Sequence, residues 1–238
     1  MEVHVPEHAI HTWRDFFIHM ATICLGLLIA IGLEQTVEWM HHRHQLHQLH
    51  DALDRDAEKA VRDADSVINN QLASADFLAR RSLQARDASL HHTLLVPMQP
   101  PAAARARFDL PNDAAWKSAK AAGIVSLLPQ SEIQAFDEVD ELVQMSNETF
   151  NEVGTSFAAQ RALALQFSDP ATRAANYASA TPAELADLAT LSMKVAQSQR
   201  EMAAMSLQIK GAEQAILKGQ RDLDQIEKAE AEAINHHQ

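Results

Sequence analysis

Between Phe16 and Leu33 the chain reads FFIHMATICLGLLIAIGL, a run in which only His19 and Thr22 are polar. As an α-helix this run is about 27 Å long, close to the hydrocarbon thickness of a bilayer. Trp13 precedes it and Trp39 follows it. On one helix the two indoles stand about 39 Å apart, at the two headgroup levels where aromatic belts lie. Charge begins at once outside the run, with Arg14 and Asp15 on one side and Glu34, Glu38 and Arg43 on the other. A cleavable signal peptide fits badly: the preceding residues are acidic, and Gly32-Leu33-Glu34 is not a small-x-small cleavage site. The expectation is a tail over 1–15 and a transmembrane anchor over 16–39, with Trp13 and Trp39 as interface anchors. Gly26 and Ala30, four apart, form a small-x-x-x-small pair that permits helix pairing in lipid.

The remainder reads as all-α. Six glycines and one tyrosine in 238 residues are too few for a turn-rich β sandwich or a Rossmann-type domain. No proline falls between Pro6 and Pro97, so the anchor helix is expected to continue over 40–92. Four prolines then mark 97–111 as a loop. Further helices are expected over 112–128, over 131–168 with Ser131 as N-cap, and over 183–234. Thr181-Pro182-Ala183-Glu184 has the form of a capping box with Pro at N1. Within the last helix Leu188, Val195, Met202, Ile209, Ile216 and Leu223 recur every seventh residue. Phe136, Val143, Phe150 and Phe157 do the same in the middle helix, and Leu46, Leu53, Ala60 and Val67 in the first. Three amphipathic faces on one chain satisfy one another, which favours intramolecular packing over an intermolecular coiled coil. The expected architecture is an elongated antiparallel bundle with coiled-coil-like packing. The segments 40–92 and 183–234 match in length, at roughly 78 Å each as helix, which would return the C-terminus towards residue 40.

Composition narrows the function classes. Twenty Lys+Arg against 32 Asp+Glu give a net charge of −12, which argues against nucleic acid as partner, because phosphate binding needs clustered cations. A single Cys excludes a disulfide framework and a multi-Cys zinc site. Nucleophile-elbow, P-loop, His-Glu-x-x-His and dinucleotide signatures are absent from the sequence, so no catalytic residue and no enzyme activity are expected.

Histidine is the one chemistry-bearing enrichment. Nine of the thirteen histidines lie within residues 1–50. Glu38 and His41 are one helical turn apart, as in half of a carboxylate-bridged di-iron site, but the bundle offers no second Glu-x-x-His. Glu38, His41, His42 and His44, with His236 and His237 from the expected returning end, are the candidate ligands for a divalent metal. His19 is a candidate haem ligand. Against both stands the simpler reading of amphipathic imidazoles at the headgroup boundary.

The stretch Trp13-Arg14-Asp15-Phe16-Phe17, the run LGLLIAIGLEQTVEW and the following HHRHQ resemble a group of bacterial single-pass inner-membrane proteins of unknown function. In that group a "GxLIAL…E…W" anchor precedes an extended helical region. The segment AWKSAKAAGIVSLLP is similar to a Trp-led, alanine-rich segment of the group, through Trp116, Ala119, Ala121, Gly123 and Leu127. The resemblance implies a bacterial inner-membrane protein with a periplasmic helical domain, whereas the flanking basic residues by themselves are nearly balanced between the two orientations. The functional expectation is a membrane-anchored interaction or scaffold protein: an accessory subunit of a membrane complex or a sensor-like module. Its partners would be the lipid bilayer and other protein subunits or a second copy of the chain. The alternative is a metal- or haem-binding module built on the juxtamembrane histidines.

Overall fold

The computed structural model describes residues 13–105, 111–168 and 176–236. Most of the expected tail over 1–15, part of the loop over 97–111 and the candidate ligand His237 lie outside them. Among the described residues the chain is all-helical. Its α-helices are α1 (Trp13–His91), α2 (Ala114–Ala121), α3 (Gln130–Gln166), α4 (Pro182–Leu217) and α5 (Leu223–Asn235). The chain divides into two units, 1–48 and 49–238.

The first unit is the N-terminal part of α1. From Trp13 to His41 every residue is exposed, including Leu25, Leu27, Leu28 and Ile29 at 56–66%. Its most apolar window has a mean hydropathy of 2.3, so α1 is long and apolar enough to cross a membrane. The polar groups in the run are satisfied within the helix: Thr22 Oγ1 donates to the Ile18 carbonyl at 2.8 Å and His19 Nδ1 lies 3.1 Å from the Asp15 carbonyl oxygen. Such i to i−4 bonding lets a hydroxyl or imidazole sit in an apolar helix without an orphaned donor.

The second unit packs the rest of α1 against α3 and α4. Cross-contacts give the directions. Asp54 pairs with Arg221 at 2.9 Å, Asp65 with Lys210 at 2.6 Å and Asp76 with Arg200 at 3.4 Å. Ser82 Oγ donates to the Ala189 carbonyl at 2.7 Å. Partner numbers fall as α1 rises, so α4 runs antiparallel to it. Between α3 and α4, Thr149 meets Met205 and Gln160 meets Ser192, again antiparallel. The heptad row of α4 fills the seam: Leu188, Val195 and Met202 are fully buried, with Ile209 and Ile216 beside them. From His92 onward the chain returns along α1 in extended form. Leu95 packs with Ala85 and Ala88, Asn70 Nδ2 donates to the Ala103 carbonyl, and the Ala115 N–H donates to Asp56 at 3.1 Å.

Four expectations are corrected. Residues 112–128 are not one helix: α2 stops at Ala121, Gly123 takes a positive φ of 73°, and a 3₁₀ turn covers Ile124–Leu127. Ser131 is not an N-cap, because α3 starts at Gln130 with Pro129 in the cap position and no side-chain cap. The single helix over 183–234 is broken. Gly219 N–H donates to the Ile216 carbonyl at 2.9 Å and Gln220 N–H to Ala215 at 3.0 Å, a Schellman stop whose C′ residue needs the φ of +77° that Gly219 adopts. Finally, the apolar row of α3 is buried only in part: Phe136 and Val143 are in the core, but Phe150 and Phe157 are 40% and 43% exposed.

The α4 start follows the expected capping box. Glu184 N–H donates to Thr181 Oγ1 at 3.3 Å, and Thr181 N–H donates to the Glu184 carboxylate at 2.8 Å. These bonds, backbone first, hold the Glu184 carboxyl below its usual range. Thr181→Ala removes the acceptor and is expected to lower the melting temperature of the bundle by about 2–4 °C, measured by circular dichroism.

Candidate functional site

The sequence-derived candidates fall in both units. In the first unit, α1 carries Glu38, His41 and His44 exposed and His42 half-buried. The His41 and His42 rings are 6.5 Å apart at their centroids, Arg43 lies over the Trp39 ring at 5.4 Å, and His44 Nε2 is 2.9 Å from Gln48 Nε2. Trp13 stacks with Phe16 and Phe17 at centroid distances of 5.9 and 6.0 Å. Trp13 and Trp39 are 77% and 59% exposed. In the second unit His236 is the C-cap of α5, its N–H directed to the Glu232 and Ile234 carbonyls. Among the described residues no group of three or more His, Cys, Asp or Glu side chains gathers around a point where a metal ion would sit.

The carboxylates that the sequence did not single out lie in the second unit. The helix α2 docks on α3 through Trp116, 2% exposed. Its ring centroid is 5.1 Å from Phe136, and its Nε1–H donates to Asp137 at 3.0 Å. Lys120 then bridges Asp137 at 3.1 Å and Asp140 at 2.5 Å. Burial alone would raise the Asp140 carboxyl. Hydrogen bonds with Asp113, Lys120 and Gln144, with the Lys120 charge, outweigh it and hold Asp140 at about 2. Asp113 pays the converse cost and is raised, by burial and by its contact with Asp140. This is a clamp for a short helix, assembled from residues of α2 and α3.

Two further carboxyls are buried with no cation paired to them among the described residues. Glu213 on α4 and Glu230 on α5 are each 7% exposed. Burial, then the Asp56 charge, pushes Glu213 up to about 8. Burial, then the charges of Glu138 and Glu227, pushes Glu230 up to about 7. One signal was readable: Glu230 stands seven residues after Leu223 and so continues the core row of the heptad. Glu213 flanks that row between Ile209 and Ile216.

No protein-family model matches the chain, and neither a curated protein nor a solved structure is similar to it.

Proposed function

We propose that the chain is a single-pass membrane-anchored helical interaction protein, held in a bacterial inner membrane by residues 16–39, with its bundle in the periplasm. The reading is carried by the exposed apolar run of α1, whose internal polar groups are bonded within the helix. A water-exposed apolar surface of this length is costly, and a bilayer removes the cost. The second unit has a buried core of its own. Phe150, Phe157 and Leu165 remain exposed on α3, which suits contact with another protein subunit. The expected role is that of an accessory subunit of a membrane complex, without catalysis of its own.

Leu25→Arg together with Leu28→Arg puts two guanidiniums near the centre of the run, at an insertion cost of about 5–7 kcal/mol. The wild-type chain is expected to stay in the membrane pellet through an alkaline carbonate wash and the double variant to leave it. A variant that pellets like the wild type, or a wild type released by carbonate, overturns the anchor. Alkaline phosphatase fused after Gln238 is expected to be active, and an inactive fusion reverses the orientation.

A further inference from the structure

Beside the end of α1, the second unit holds a cavity of about 150 Å³ that the contacts above leave unused. Its polar side is made by Arg81, Arg161, Ser168 and Tyr177. The rest of the described lining is apolar and includes Leu95, Pro97 and Met98 from the extended return and Leu165 from α3. No Asp or Glu is among the described residues that line it.

In this unit Arg221 meets Asp54 and Arg200 meets Asp76. Half-buried Arg81 instead donates from Nη2 to the Tyr177 hydroxyl, with its Cζ 5.9 Å from the centre of that ring. Tyr177 is itself fixed, 5% exposed and 5.7 Å from the Phe167 ring. The guanidinium is thus oriented by a neutral phenol, and most of its five donors are not used in that bond. Arg161 has no hydrogen bond or ion pair among the described residues. Two guanidiniums that line one cavity, with no carboxylate among its described lining residues, repel each other, and half-buried Arg81 is also partly desolvated; a bound anion reverses both costs.

We propose that this cavity binds a small organic carboxylate with an apolar body of about the size of one ring. Arg81 and Arg161 take the carboxylate, whose two oxygens match the guanidinium fork. The body lies against Leu95, Pro97 and Leu165, a wall that offers a fully hydrated inorganic anion nothing. A cavity of this volume takes a body of about one ring. Affinity for so small a ligand is modest, with a Kd on the order of 0.1–1 mM. The site is independent of the membrane reading, because every lining residue belongs to the second unit.

Tyr177 is the only tyrosine in the chain, so the full-length protein in detergent, labelled with 3-fluorotyrosine, gives one fluorine NMR resonance located at the site. Titration with benzoate at constant ionic strength is expected to shift it saturably. Acetate and inorganic phosphate are expected to shift it less. Arg161→Gln should weaken benzoate binding by about tenfold or more, while the melting temperature stays unchanged, because Arg161 is exposed and unpaired. A resonance that benzoate at about 20 mM does not move, an equal response in the Arg161→Gln variant, or a stronger response to phosphate than to benzoate overturns the proposal.

Discussion

Glu213→Gln is expected to stabilise the bundle at pH 8 by several kcal/mol, and to change its stability little at pH 5. Glu213 lies on α4 at 7% exposure, and no hydrogen-bond partner is recorded for its carboxyl among the described residues. Burial first, and the negative charge of Asp56 on α1 second, raise it from 4.5 to about 8. Between those values the folded chain keeps a proton that the unfolded chain has released. Stability therefore falls as pH rises through this window, by about 1.4 kcal/mol per pH unit for one such group. Below 4.5 both states are protonated and the penalty vanishes; above about 8 it is fully present.

Glutamine keeps the shape and loses the titration. Glu230, raised to about 7, still titrates in the variant, so some slope remains up to that pH. Asp140, held at about 2, acts with the opposite sign and only at acid pH: its contribution is lost as pH falls through the folded value. Urea unfolding followed by circular dichroism at pH 5, 6, 7 and 8 checks the prediction. Parallel curves for wild type and variant would show that Glu213 is ionised at no cost in the folded chain.

Which parts of this structure were legible in the sequence follows from what periodicity can encode. A hydrophobic row reports a face, and the faces of α4 and of α1 beyond Leu49 are buried where the rows place them. Capping chemistry is equally local, and Thr181 with Glu184 forms the box that the two side chains imply. A chain reversal is not periodic. The heptad count passes through Gly219 into Leu223 and Ile226 without interruption, yet the chain turns there, because one glycine in a left-handed conformation ends α4. Ile226 is fully buried after the turn, so the row continues in a helix of the opposite direction. Phe150 and Phe157 err the other way: the face exists, but the described part of the bundle leaves it open. The candidate cavity was out of reach for a different reason. Arg81, Arg161 and Tyr177 are far apart in sequence and follow no motif, and only the packing of α1, α3 and the segment before α4 brings them to one cavity.

Gly211→Leu is expected to detach α5 from α4. At position 211 a Cβ would lie 2.6 Å from the Ala229 carbonyl oxygen and 2.9 Å from the Ala233 Cβ. The first of these is backbone, so no rotamer change relieves it, and α5 has to move. Moving it exposes Ile226, otherwise fully buried, and Glu230. Overpacking of this kind costs about 1–3 kcal/mol, against a gain of up to about 1 kcal/mol from replacing glycine in a helix interior. The sign of the effect is therefore set by the tertiary contact. Gly154, in α3, supplies the control: a Cβ there meets nothing within 4 Å, so Gly154→Ala is expected to stabilise by up to about 1 kcal/mol. Limited proteolysis reads the difference, with Gly211→Leu cut rapidly after Lys218 and Arg221 in the turn and Gly154→Ala resistant like the wild type. Detachment also hydrates Glu230 and returns its carboxyl towards 4.5, so the stability of the Gly211→Leu variant should fall less steeply between pH 5 and 7 than that of the wild type. Equal cleavage rates in all three proteins would mean that α5 is not held by the close approach at Gly211.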